Sequence, residues 1–260
     1  MRPNKTKAIL TAGKVAVGIA HSQIGTAEVP KMFQAAAMDW VFLDSEHSPF
    51  SSDTLHELLR AYRMTDITAV VRVCDFQYDL VARALDSGAE GIIFPRCEDP
   101  DQLARAVRGA KFPPLGRRGF GLGPPQIGYQ TARFDDIVSH CNQETLMIAQ
   151  VESARALDRL PELASVEGLD CLLVGPADLS ISLGVGGQWY DTKLVGAIER
   201  VIAACEERGI WPAIQVRDGA LAEFWIERGM KLIGCSTEAA LMWGAVKDLG
   251  GRLRSLASDA

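Results

Sequence analysis

A single α/β domain folded as a (β/α)8 TIM barrel over residues 1–260 is what this sequence predicts, and three observations predict it. Short apolar runs recur at residues 15–20, 40–44, 68–73, 91–95, 146–151, 171–175, 211–216 and 232–235. Stretches with apolar residues at helical spacing lie between them, among them 52–63, 78–87, 101–108, 154–163, 194–208 and 219–228. The length of 260 residues accommodates eight such units, and no linker divides the chain. Strands alternating with helices pair in parallel, and eight repeats in one domain length close into a barrel. An open doubly wound sheet is the competitor, but no GxGxxG follows the first run.

The second run, Trp40-Val41-Phe42-Leu43, passes straight into Asp44-Ser45-Glu46-His47-Ser48-Pro49. Continuous apolar sequence suits a strand covered on both faces, and ionisable groups at its carboxyl end fall in a barrel's active-site mouth. Capping of the next helix is the competing role for Asp44 and His47. Ser51, Ser52 and Asp53 already supply that cap. The third run ends on Arg72, a guanidinium that needs an anion at the end of a buried strand. A salt bridge to Glu46 or Asp86 meets that need, and so does a developing enolate oxygen.

Gly88 and Gly209 each close a helical stretch just before a strand, where a C-cap glycine is expected, so the helix-to-strand turns lie at the barrel bottom. Residues 112–142 are irregular, with Pro113-Pro114 and Pro124-Pro125 among several glycines, and residues 184–191 carry Trp189-Tyr190. Loops this long in a compact domain are usually functional, and both are expected at or near the mouth. Residues 236–256 place Ala239, Leu241, Met242, Ala245, Val246 and Leu249 at helical spacing, a closing helix.

Strand five ends Gln150-Val151-Glu152, and strand six runs into Gly175-Pro176-Ala177-Asp178. Taken singly, Glu152 suits a helix start and Asp178 an N-cap. One β/α unit apart, they point to shared ligation of a hard divalent ion such as Mg²⁺ or Mn²⁺ that keeps positions open for substrate. The turn at Gly175, Pro176, Ala177 and Asp178 presents backbone N–H groups to a substrate carboxylate. A Schiff-base enzyme on this fold needs a lysine in the mouth, and every lysine here falls before a strand, in a loop, on a helix or near a terminus. Carbonyl chemistry is therefore expected to be metal-assisted.

The six cysteines form no CxxC pair and have no histidine at zinc-ligand spacing, which argues against a zinc site or a disulfide framework. A net charge of −6, with no basic cluster beyond Arg117-Arg118, argues against a nucleic-acid partner. No apolar run reaches the ~18 residues that cross a bilayer, and the first residues lack a signal-peptide core, so a cytoplasmic protein with a small-molecule partner and no membrane contact is expected.

With these motifs in order, the chain resembles the HpcH/HpaI aldolase family. These metal-dependent class II pyruvate aldolases include 4-hydroxy-2-oxoheptanedioate aldolase and related sugar-acid aldolases. The resemblance rests on residues 39–49, on Val71-Arg72-Val73, on residues 85–95, on Gly116-Arg117-Arg118-Gly119, on Gln150-Val151-Glu152 and on residues 175–184. It implies that Glu152 and Asp178 bind a divalent ion (Mg²⁺, Mn²⁺ or Co²⁺), that His47 with Asp44 does acid–base work, and that Arg72 stabilises a pyruvate enolate. It further implies that Gln150 orients substrate or metal-bound water, and that Asp86 holds a neighbouring subunit or the His47 network. The implied reaction is reversible cleavage of 4-hydroxy-2-oxo acids to pyruvate and an aldehyde in aromatic-compound or sugar-acid catabolism, with oxaloacetate decarboxylation at the side. A homohexamer is implied too, with residues 236–253 packing on a neighbouring subunit. An acyl-CoA ester lyase of the malyl- or citryl-CoA type would share the metal site, but no added basic segment awaits the CoA phosphates. A non-catalytic barrel that binds a 2-oxo acid would have lost a ligand, and none is lost. The loops at Cys97-Glu98, Trp189-Tyr190 and 215–218 depart from the family pattern, and there the aldehyde pocket does not map.

Overall fold

The computed structural model describes residues 1–121, 123 and 127–258. Eight parallel strands, β1 (Ala16–His21), β2 (Trp40–Asp44), β3 (Thr68–Arg72), β4 (Gly91–Phe94), β5 (Leu146–Val151), β6 (Cys171–Val174), β7 (Trp211–Val216) and β8 (Leu232–Thr237), pair in sequence order and close into a barrel. Every expected strand is found, within a residue or two at its ends.

Because successive strand residues face opposite sides, the buried apolar side chains fall into two groups. Val41, Leu43, Ala69, Val71, Ile92, Phe94, Met147 and Ala149 point outward and pack with the surrounding helices. Trp40, Phe42, Val70, Ile93, Leu146, Ile148, Cys171, Leu173, Ala213 and Leu232 point inward and fill the lumen. Trp40 is the largest side chain there, and its indole N–H donates to the Ile233 carbonyl at 3.0 Å. Room for it comes from Gly18 on the adjoining strand, where a Cβ would stand 2.5 Å from the indole.

The helices are α1 (Lys5–Thr11), α2 (Glu28–Ala35), α3 (Ser52–Arg63), α4 (Tyr78–Asp86), α5 (Pro100–Ala110), α6 (Phe134–Glu144), α7 (Ala154–Asp158), α8 (Leu160–Ala164), α9 (Pro176–Ser182), α10 (Thr192–Arg208), α11 (Gly219–Ile226) and α12 (Glu238–Ser258). Ser51 caps α3 through Thr54 N–H, and Gly209 ends α10 at φ 67°, as their positions predict. α1 closes the barrel bottom, where Asn4 donates to the carbonyls of Glu90 and Glu144, just ahead of β4 and β5.

Several expectations need correction. The expected 154–163 helix is two, α7 and α8, broken at Arg159 because Pro161 has no N–H to continue the ladder. The expected 112–142 loop contains α6, and its described start does not reach the mouth. Arg117 and Arg118 N–H donate to the Arg108 and Lys111 carbonyls at the end of α5, and Arg118 pairs with Asp86 at the end of α4 (2.6 Å). The segment follows a helix rather than a strand, so it begins at the bottom. Pro124-Pro125 lie outside the described residues. The closing helix starts at Glu238, since Ser236 and Thr237 still belong to β8.

Candidate active site

Strand parity decides which polar residues enter the lumen. On β2 the inward series is Trp40, Phe42, Asp44; on β3 it is Val70, Arg72; on β5 it is Leu146, Ile148, Gln150, and Glu152 follows in phase. These residues meet at the carboxyl ends of the strands. A cavity of about 440 Å³ there is lined by Asp44, Arg72, Gln150, Gly175, Pro176, Ala177 and Asp178, together with Trp189, Gln215, Val216 and Arg217.

Asp44 and Arg72 are register partners across β2 and β3. The guanidinium donates to both Asp44 oxygens, at 3.0 and 2.7 Å, and lies 3.3 Å from Glu46 Oε2. Burial alone would push the Asp44 carboxyl up; Arg72, with the backbone N–H groups of Glu46 and His47, outweighs that and holds it below the usual carboxylate range. Of the two salt-bridge partners expected for Arg72, Glu46 is present and Asp44, not expected, joins it, whereas Asp86 is on the far end of α4 against Arg118 and does not line the cavity.

Glu152 is buried and doubly engaged: Oε1 accepts from Arg96 N–H at 2.8 Å and Oε2 from the Gln150 amide at 2.6 Å. Burial, with the charge of Asp178 added, pushes its carboxyl up to about 7. Gly175 makes this crowding possible, because a Cβ there would lie 2.6 Å from Glu152 Oε2 and 2.8 Å from Gln150 Nε2. Gln150 Oε1 is buried and has no hydrogen-bond partner. An orphaned carbonyl oxygen beside two carboxylates is a set of hard oxygen donors under mutual repulsion, which fits a divalent cation with its bound water. Among the described residues no cluster of three His, Cys, Asp or Glu side chains is assembled for a metal, so an ion here would rest on these two carboxylates and keep its other positions open.

His47 stands apart from the cavity wall. Its ring is 67% exposed, with Nε2 3.9 Å from Glu46 Oε2, and Asp44 accepts from its backbone N–H (3.3 Å) rather than from the ring. Pro176 and Ala177 open α9, which has no side-chain cap. The expected turn is in fact this short helix, and Ala177 and Asp178 in its first turn, where N–H groups have no intrahelical partner, line the cavity.

Three residues escaped sequence reasoning. Arg96 holds φ at 47°, an unusual value for a non-glycine, and so delivers its N–H to Glu152 while its side chain pairs with Glu46. Glu46, taken only as a partner for Arg72, joins both arginines. Glu238 accepts from the N–H groups of Ser22 and Ile24 at 3.0 Å, tying α12 to the loop after β1. No local pattern marks Arg96 or Glu46; a glutamate opening a helix is the faint signal for Glu238.

A family model described as HpcH/HpaI aldolase/citrate lyase matches residues 24–237. The chain belongs to that family. Its relatives include a hydroxypyruvate/pyruvate aldolase of Paraburkholderia phytofirmans, 34% identical over 89% of this chain and 91% of the relative. A 4-hydroxy-2-oxo-heptane-1,7-dioate aldolase of Escherichia coli is 28% identical over 98% of this chain and 97% of its own. The crystal structure of an HpcH/HpaI aldolase from Desulfitobacterium hafniense superposes with a TM-score of 0.91 at 27% identity, covering 95% of this chain and 96% of the other. This HpcH/HpaI family member is accordingly a carbon–carbon lyase with a small-molecule substrate.

Proposed function

We propose that the chain is a divalent-metal-dependent class II aldolase that reversibly cleaves 4-hydroxy-2-oxo acids to pyruvate and an aldehyde. The observation that carries this reading is the buried Gln150–Glu152 pair with its orphaned Gln150 oxygen, set beside Asp178 and within one cavity of Arg72. Glu152 and Asp178 would hold the ion, with Gln150 orienting its water. An ion bound there supplies Lewis acidity to the 2-oxo group.

The chain's own residues do the rest. Backbone N–H groups at Ala177 and Asp178 bind the substrate carboxylate. His47 accepts the 4-hydroxyl proton, directly or through a water; its ring is exposed, with Nε2 3.9 Å from Glu46 Oε2. As the bond between carbons 3 and 4 breaks, its electron pair passes to the 2-oxo oxygen, and Arg72, locked in place by Asp44, donates to the enolate that forms. Protonation of carbon 3 then gives pyruvate. Loss of CO₂ from oxaloacetate leads to the same enolate, which accounts for an expected decarboxylase side activity.

No helix of the described residues is long and apolar enough to cross a membrane. Six free cysteines suit a reducing compartment, and we place the enzyme in the cytoplasm. The outer face of α12 leaves Leu241, Trp243, Val246, Leu249, Leu253 and Leu256 exposed, which supports packing of this helix on neighbouring copies in a homohexamer.

The experiment is pyruvate release from 4-hydroxy-2-oxo acids of graded chain length with Mg²⁺, Mn²⁺ or Co²⁺, then with excess EDTA. Release that EDTA abolishes is the expected result. Release unaffected by EDTA, or none from any substrate while pyruvate still binds, sinks the reading and turns attention to CoA esters or to a binding protein.

A further inference from the structure

Two arginines line the cavity, Arg72 and Arg217. They differ in what answers their charge. Arg72 is held by Asp44 and Glu46, whereas Arg217 pairs with no carboxylate among the described residues. Arg217 stands one residue past β7, in phase with the inward-facing Ala213, and it is exposed. Its guanidinium carbon lies 5.5 Å from the centre of the Trp189 ring, which lines the same cavity from the loop between α9 and α10. Stacking on the indole face restrains the guanidinium plane and leaves its N–H edge open, because the ring takes up none of those donors. A restrained cation at a substrate cavity, with its donors unfilled, is a receptor for an anion.

We propose that Arg217, seated on Trp189, receives an anionic group, carboxylate or phosphate, carried by the aldehyde half of the substrate, and so acts as a specificity-determining residue that favours charged aldehydes over neutral ones. The inference rests on the aldolase reading above. In that reading the carboxylate of the 2-oxo acid already has its place at the first turn of α9, and the enolate has Arg72. The group left for Arg217 therefore belongs to the other half of the substrate. Trp189 and Arg217 both fall in the loops, 189–190 and 215–218, where the family resemblance leaves the aldehyde pocket unmapped. A planar fork of donors matches two oxygens of either anion and offers an alkyl chain no such partner.

The test is the aldol direction with pyruvate and Mg²⁺, comparing kcat/KM within pairs matched in carbon skeleton: succinic semialdehyde against butyraldehyde for the carboxylate, and glyceraldehyde 3-phosphate against glyceraldehyde for the phosphate. In at least one pair the wild type favours the charged member, and Arg217→Met, which keeps an apolar stem beside Trp189, lowers that ratio roughly tenfold or more. The pair that responds identifies the anion. Arg217→Lys, with the charge but not the fork, retains part of the preference. Added salt lowers the wild-type ratio and leaves that of Arg217→Met flat, since only the first rests on charge. Should Arg217→Met fail to fold by circular dichroism, Arg217→Gln reads the same quantity. A wild type that favours neither charged member, or ratios unchanged on losing the guanidinium, overturns the proposal; a raised KM for pyruvate alongside unchanged ratios assigns Arg217 to the 2-oxo acid instead. Turnover of no aldehyde by the wild type overturns the aldolase reading itself, so the two failures are distinct.

Discussion

Asp44 and Arg72 face each other across β2 and β3, 28 residues apart in sequence, and form a two-point ion pair of 3.0 and 2.7 Å at the floor of the cavity. The pair couples activity to stability. Arg72→Ala removes the donor to the enolate and leaves a buried carboxylate behind. A fall in kcat on the order of 10²-fold or more is expected, together with a stability loss of about 3 kcal/mol in urea unfolding. A kcat within a few fold of wild type would remove Arg72 from the reaction.

His47 gives the opposite signature. Its ring is largely exposed, so His47→Ala leaves the melting temperature within a degree or two of wild type while the rate of 4-hydroxy-2-oxo acid cleavage falls on the order of 10²-fold. Retained cleavage refutes the base assignment.

Gly175 tests the carboxylate pair through space alone. Its φ is −96°, an ordinary value, so Gly175→Ala strains no backbone; the added methyl must displace Glu152 or Gln150. Calorimetric titration with Mn²⁺ is expected to show affinity reduced by tenfold or more in Gly175→Ala and abolished in Glu152→Gln. Equal affinity in both variants places the ion elsewhere.

Lys111 lies buried at the barrel bottom as the C-cap of α5, and its Nζ donates to the carbonyls of Asn142 and Thr145 at 2.7 and 3.0 Å. Burial pushes it down to about 8 from 10.5. Between those values the unfolded chain binds the proton more than the folded one, so this group adds stability as pH rises from about 8 to 10.5. The stability advantage of the wild type over Lys111→Met, about 2 kcal/mol at high pH from two unpaired carbonyls, is expected to shrink as pH falls to 8. Denaturant titrations at pH 8 and 10 check the sign, and an advantage that grows toward pH 8 contradicts it.

The exposed face of α12 predicts association. Leu249→Glu with Val246→Glu places charge where a neighbouring copy would pack, and light scattering after size exclusion is expected to show a smaller assembly than wild type. An unchanged mass excludes this face from the interface.

The sequence by itself determined the barrel and the strand ends at which the candidate residues fall. Continuous apolar runs alternating with helical stretches mark parallel strands, and Asp44, Arg72, Gln150, Glu152 and Asp178 stand at or just beyond the carboxyl ends of β2, β3, β5 and β6. Those signals are local: a strand end and its polar residue are adjacent in the chain. Only the tertiary structure decided how the residues engage one another. That Asp44 holds Arg72 and not the His47 ring depends on the register of β2 against β3. Arg96 serves Glu152 through a backbone N–H, which no side-chain pattern encodes. The orphaned oxygen of Gln150 is defined by what fails to surround it, and Gly175 and Gly18 matter for atoms of other strands. Such properties belong to pairs brought together by barrel closure, across tens of residues of sequence, and so lie beyond any reading of neighbours along the chain.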